Sequence, residues 1–118
     1  MTTAEVKTMI ASIGVPFAYY QFPESAKACP FICFFYSGSN DFLADSSNYV
    51  KIENLVIELY TKNKDFTLEA TVEGVLAQNG LVWSRSEYYI DNEKLYQTIY
   101  ETDILLQVGN TTEEVNNS

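Results

Sequence analysis

The chain has 118 residues, 47% of them hydrophobic and 19% charged, the composition of one globular domain. Seven Lys and Arg stand against 16 Asp and Glu, a net charge of −9, so binding to phosphate backbones or anionic membranes is not expected. There is no histidine, which excludes Ser-His-Asp and Cys-His catalysis and every His-ligated metal site.

The first seven residues, Met1 to Lys7, lack the basic-then-apolar pattern of a secretory signal. The longest apolar run, Ala28 to Tyr36, holds nine residues and a proline, whereas a membrane-spanning helix needs about 20. The reading is a soluble protein made in the cytosol. Cys29 and Cys33 are the only cysteines. If both lie on one strand, four residues put their Cα atoms about 13 Å apart, beyond the reach of a disulfide. Two free structural thiols are expected.

Thr3 is positioned to cap a first helix, whose face carries Val6, Met9, Ile10 and Ile13. Gly14 and Pro16 stop it. Phe17 to Phe22 reads as a short aromatic strand, ended by Pro23. Phe31 to Tyr36 is apolar on both faces and predicts a buried central strand. Ser37 to Asn48 is a long polar loop. Tyr49 to Thr61 is a long strand whose apolar phase shifts from Val50 and Ile52 to Leu55, Ile57 and Leu59, which predicts a bulge near Glu53 and Asn54.

Asp65 caps a second helix with a buried stripe of Leu68, Val72, Val75 and Leu76, closed by Asn79 and Gly80. Leu81 to Ile90 and Leu95 to Leu106 are strands around a turn at Asp91 to Glu93. The last strand puts Tyr96, Thr98, Tyr100, Thr102 and Ile104 on one face and Gln97, Ile99, Glu101 and Asp103 on the other. Gln107 to Ser118 has no periodicity and reads as a disordered acidic tail after a single domain of residues 1–106. The order α-β-β-β-α-β-β predicts an α+β domain: a mostly antiparallel sheet of about five strands with two helices packed on one face.

No motif carries catalysis or cofactor binding. The five glycines form neither G-x-G-x-x-G nor a P-loop. Asp65, Glu69 and Glu73 recur every four residues along the second helix, a spacing read as a solvated face with a favourable N-terminal charge. Glu58, on the strand face opposite Leu55, Ile57 and Leu59, reads as solvated or paired. Lys62-Asn63-Lys64 is too small a basic spot for nucleic acid. Tyr88, Tyr89, Tyr96 and Tyr100 fit either cross-strand core packing or a protein interface. No enzyme, cofactor or metal site is expected.

Phe42 and Leu43 stand out inside the polar loop. Either they tuck the loop onto the domain, or they are offered to a partner together with Asp41 and Asp45.

An ordered set of residues resembles a known family. It comprises Val15-Pro16-Phe17-Ala18-Tyr19-Tyr20 with Phe22, Pro30-Phe31 through Tyr36, and Asn40-Asp41-Phe42 with Ala44-Asp45. It continues with Tyr49, Ile57-Glu58-Leu59-Tyr60-Thr61-Lys62, Asp65, Trp83, Ile90, Glu93-Lys94-Leu95-Tyr96 and Tyr100. Over residues 13–101 the chain is similar to tail terminator and tail-completion, or head–tail joining, proteins of long-tailed phages and prophages of Gram-positive bacteria. The resemblance implies an α+β subunit that forms a ring, most often a hexamer, on the head-proximal end of the tail tube. Such a ring stops tube growth and offers the head connector a docking surface, while DNA passes through without being read.

Its partners would be further copies of itself, the major tail tube protein and the head connector protein. Its location would be the host cytoplasm during assembly and then the virion tail. Under that reading Phe42, Leu43, Asp41 and Asp45 are candidates for an interface, and Glu101 and Asp103 for an acidic lumen that lets DNA slide. The alternatives are a neighbouring head–tail connector component and a small regulatory binding module of a mobile element.

Overall fold

A computed structural model describes residues 1–40 and 50–107. Five strands form one sheet in the order β1-β2-β3-β5-β4. They are β1 (Phe17–Tyr19), β2 (Phe31–Asn40), β3 (Val50–Thr61), β4 (Ser84–Ile90) and β5 (Leu95–Gln107). All neighbours are antiparallel except β1 and β2, which are parallel. Helices α1 (Thr3–Ala11) and α2 (Phe66–Gln78) bury their apolar stripes in one core with the same face of the sheet. This is the expected α+β architecture.

Sterics and hydrogen bonding decide where the elements start and stop. The cap of α1 is Thr2 rather than Thr3. Thr2 accepts from the Glu5 N–H while the Glu5 carboxylate accepts from the Thr2 N–H, a reciprocal box that needs an acid three residues on. Thr3 has Val6 at that position. Asp65 caps α2 as expected, accepting from the Leu68 N–H at 2.9 Å. At the far end Gly80, with φ of +73°, lets the Leu81 N–H reach the Leu76 carbonyl at 3.1 Å. That bond ties Leu81 to the helix, so β4 begins at Ser84 rather than at Leu81.

Two further boundaries differ from the pattern-based reading. β1 ends at Tyr19, not Phe22, because Tyr20 takes a left-handed φ of +56° and turns the chain out of the edge. Beyond it the chain passes through a short 3-10 turn (Ala26–Ala28) before β2. β2 itself runs past Tyr36 to Asn40, so the segment read as loop starts inside the sheet.

The bulge is not in β3. The β3–β5 register is unbroken from Val50↔Gln107 to Thr61↔Tyr96. The irregularity lies in β2 between Tyr36 and Gly38, so Ser37 is the extra residue. β3 therefore keeps Ile52, Asn54, Val56, Glu58 and Tyr60 on one face throughout. Its shift in apolar phase marks a change in which face is covered along its length.

Both cysteines are free thiols, Cys33 buried and Cys29 partly so. Cys29 precedes β2 and Cys33 lies within it. Burial, and then the charge of Glu58, push the Cys33 thiol up to about 11. Alkylation of native protein at neutral pH is thus expected to modify Cys29 first and Cys33 only on unfolding. Intact mass under non-reducing conditions checks this; a Cys29–Cys33 bond would contradict it.

Candidate functional site

The helix-side face of the sheet holds a charged cluster rather than a solvated one. Glu69 on α2 is 4% exposed. Its carboxylate pairs with Lys64 Nζ at 2.5 Å and Arg85 Nη1 at 2.7 Å. Lys64 also pairs with Glu87, and Thr98 Oγ1 donates to Glu69 at 3.4 Å. One turn on, Glu73 accepts from the Tyr100 hydroxyl at 3.1 Å. The reading of Asp65, Glu69 and Glu73 as a solvated ladder is therefore corrected. Only Asp65 is exposed; the other two face β4 and β5, whose Arg85 and Tyr100 offer them partners. Burial, and then the charge of Glu73, raise the Tyr100 hydroxyl above its ordinary pKa.

The opposite face is covered on one side by the chain between β1 and β2. Tyr20 stacks on Phe35 with ring centroids 4.7 Å apart, and Phe22 meets Tyr60 edge-on at 6.2 Å. Ala26 and Cys29 pack on a small core of Cys33, Tyr60 and Leu95. Beneath this cover Glu58 is buried and accepts from the Tyr60 hydroxyl at 2.9 Å, which in turn accepts from Gln97. Burial and the bond to Glu58 raise the Tyr60 pKa. Glu58 is thus the paired carboxylate of the two options its position left open.

Towards the Asn40 end of β2 no described element covers that face. Glu101 and Asp103 both lie there and are exposed, so the structure brings this candidate pair together as the alternation of β5 predicts. Asp103 accepts from Asn54 Nδ2 at 3.2 Å, and Asn54 Oδ1 accepts from Ser37 Oγ at 2.7 Å. The bulge residue is thereby tied to the acidic strip. Above it, Leu105 is 59% exposed opposite Ile52. Asp41, Phe42, Leu43 and Asp45 lie outside the described residues.

The four C-terminal tyrosines divide between the faces. Tyr100 is fully buried in the main core, Tyr89 meets Tyr96 at 4.9 Å on the same side, and Tyr88 is exposed on the other. A surface that pattern reading missed lies at the β1 edge. Tyr19 contacts Tyr20, Phe34 and Tyr36 at 5.3–6.0 Å, yet Tyr19 and Tyr20 stay half exposed. The density of aromatics from Phe17 to Phe22 signals it, although their spacing reads as strand. Burial, then Tyr19 and Glu53, push the Tyr36 hydroxyl up to about 12.

Among the described residues there is no group of three or more Cys, Asp or Glu placed to hold a metal ion, and no helix is long and apolar enough to cross a membrane. No family model matches the chain, and no curated protein matches it. A solved structure described as "Virion of native gene transfer agent (GTA) particle" contains a chain that is similar in part. It shares 10% identity and a TM-score of 0.49, over 82% of this chain and 84% of that one. A likeness at this level identifies neither a family nor a function.

Two predictions follow from the polar clusters. Glu69→Gln removes the negative charge that Lys64 and Arg85 share and replaces one of its two acceptor oxygens with an NH2 donor. It is expected to cost about 1.5–3 kcal/mol in urea unfolding, held to that range because the Arg85 side chain is 43% exposed. Arg85→Ala should cost less, since Lys64 still compensates the carboxylate.

The second concerns alkaline pH. Cys33, Tyr36, Tyr60 and Tyr100 all hold their protons more tightly when folded. The stability this adds is complete below the unfolded values of 9.0 for Cys and 10.0 for Tyr, and is lost as pH rises towards the folded ones. The thermal midpoint should thus decline above about pH 9, and Tyr100→Phe should make the decline shallower.

Proposed function

We propose that this chain is a structural subunit of a phage or prophage virion. Copies of it close into a ring, a hexamer, at the head-proximal end of the tail tube. There the ring ends tube growth and gives the head connector its docking surface. The subunit is made in the host cytoplasm and remains in the virion tail. Its role is assembly and not catalysis.

The observation that carries this reading is the ordered residue pattern spanning residues 13–101. Its pieces fall on successive elements of one sheet. Val15 to Tyr19 lead into and form β1, Phe31 to Tyr36 form the lower half of β2, Ile57 to Thr61 end β3, and Leu95, Tyr96 and Tyr100 belong to β5. Two buried carboxylates are engaged in holding the fold, Glu69 by Lys64 and Arg85, and Glu58 by Tyr60. The exposed pair Glu101 and Asp103 suits a lumen that repels the DNA backbone and lets it slide.

The residues between β2 and β3 leave from two long paired strands, of 10 and 12 residues. Such a base is rigid enough to present Phe42 and Leu43, with Asp41 and Asp45, to a neighbouring subunit or to the tube. Each apolar residue contributes about 1.5–3 kcal/mol on full burial. Repeated around a ring, contacts of that size bias assembly while leaving a free subunit soluble.

Negative-stain microscopy of the purified protein, alone and with tube protein, tests the ring. The double change Phe42→Ser, Leu43→Ser tests the interface. The expected outcome is an unchanged thermal midpoint with ring formation or tail attachment lost. A clear fall in monomer stability with assembly intact would show that these side chains cover the domain's own core. A ring that carries Glu101 and Asp103 on its outer rim would remove them from the lumen.

A further inference from the structure

Strand β4 ends the sheet on one side, and among the described residues no strand pairs with its outer edge. Six of its seven residues are exposed, and it holds neither proline nor glycine. Its pairing with β5 runs without a shift from Ser84↔Glu101 to Ile90↔Leu95, so the strand is regular along its length. A regular, unpaired edge is a template for another strand. The two charges of β4 are drawn onto the helix side, where Glu69 holds Arg85 and Lys64 holds Glu87.

The sequence of β4 fits a copy of itself. Alternate residues of an edge strand turn their N–H and C=O groups outward, and opposed residues of an antiparallel ladder share a face. Two copies of β4 therefore pair antiparallel only with odd-numbered residues opposite odd and even opposite even. A two-fold axis at Arg85 would set that residue against its own copy, and an axis at Glu87 would do the same for Glu87. Like charges directly opposed destabilise a ladder. An axis at Ser86 instead sets Arg85 against Glu87 of the second copy and Glu87 against Arg85, two pairs of opposite charge. Axes nearer either end shorten the ladder.

The same register matches exposed apolar surface. Ser84 stands opposite Tyr88, while Trp83 and Val82, which lead into β4, come level with Tyr89 and Ile90 of the second copy. Val82 is 86% exposed, and Tyr88 and Tyr89 are half exposed, so three large side chains gain a neighbour. Arg85 and Glu87 are already held within their own subunit, so pairing immobilises few groups that were free to move.

We propose that the partner of the β4 edge is a second copy of this chain. The two β4 strands pair antiparallel about a two-fold axis at Ser86 and join two five-stranded sheets into one, with the helices of both copies on the same face. The inference goes beyond the virion reading. It uses none of the residues assigned to the ring, so either can fail without the other.

Analytical ultracentrifugation of the full-length chain tests the pairing, and cysteine cross-linking tests its register. The wild type is expected to rise with concentration from one 13.4 kDa subunit to two. Ser86→Lys sets two ammonium groups against each other at the axis and should raise the concentration needed about five-fold. Ser86 is exposed and lies opposite Ile99, on the face away from α2, so the thermal midpoint of the dilute variant should hold. Ser86→Cys should form an inter-chain disulfide under mild oxidation, read by peptide mapping at position 86, because directly opposed Cα atoms lie about 4.5–5.5 Å apart. Ser84→Cys should not, since each Ser84 stands opposite Tyr88 and about 13 Å along the strand from its own copy. A wild type that stays at one subunit at every concentration would overturn the proposal. So would association that Ser86→Lys leaves unchanged, or equal cross-linking by Ser84→Cys and Ser86→Cys. Where larger assemblies form, the cross-link decides: its absence at position 86 overturns the pairing.

Discussion

Glu69 enters the layer between α2 and the sheet with almost no contact with water, so its charge has to be compensated inside the protein. The compensation is distributed. Lys64 comes from the turn before α2, Arg85 from β4 and Thr98 from β5. All three reach one carboxylate only if α2 lies at one angle and β4 keeps one register. That register sets Arg85 opposite Tyr100 and Glu87 opposite Thr98. A slip of one residue would turn Arg85 to the other face and leave Glu69 with only Lys64 and Thr98. Every residue of β4 except Ile90 is exposed, so apolar burial does little to hold this strand. The ion pairs specify what hydrophobic contact there cannot.

The sheet's second face poses a different constraint. β2 is apolar on both sides, and a subunit with helices on one side only would leave Phe31, Cys33 and Phe35 in water. The chain solves this at Tyr20. A left-handed residue there sends the next segment across the edge, and Tyr20 and Phe22 close over Phe35 and Tyr60. The cover ends where β2 bulges at Ser37. Past that point the face carries Asn54, Glu101 and Asp103, residues that belong in water or against a polar partner. The phase change along β3 records the same boundary.

Helices and their stripes were legible because burial of Val6, Met9, Ile10, Val72, Val75 and Leu76 obeys a local period. The alternation of β5 was legible for the same reason, and with it the placement of Glu101 and Asp103. What local pattern does not carry is pairing. The acidic spacing on α2 looks solvated until Arg85, 16 residues away, is seen opposite Glu69. A phase shift in β3 reads as a bulge in β3, because the strand that holds the extra residue is named only by the register between two strands. The cap at Thr2 was within reach of the sequence, since Glu5 completes its box. The aromatic density at Phe17 to Phe22 likewise reported a surface, but nothing in its period separated surface from strand.

The two ends of the molecule's chemistry point away from each other. On the helix side of the sheet an aromatic groove with one cation, Lys7, lies by the β1 edge. On the opposite face Glu101 and Asp103 form an acidic strip. Across a two-fold axis residue i meets j while j meets i, so both partners must lie in one patch, and surfaces on opposite faces of the sheet do not share one. If copies of the chain associate in a ring as proposed above, head-to-tail contacts would let one kind of surface meet the other on the next subunit. Such contacts either run on as a filament or close, and a rigid sheet pinned by buried ion pairs repeats the same angle at each step. In the ring proposed above, such contacts would gather the carboxylates on one side and the aromatic contacts on another.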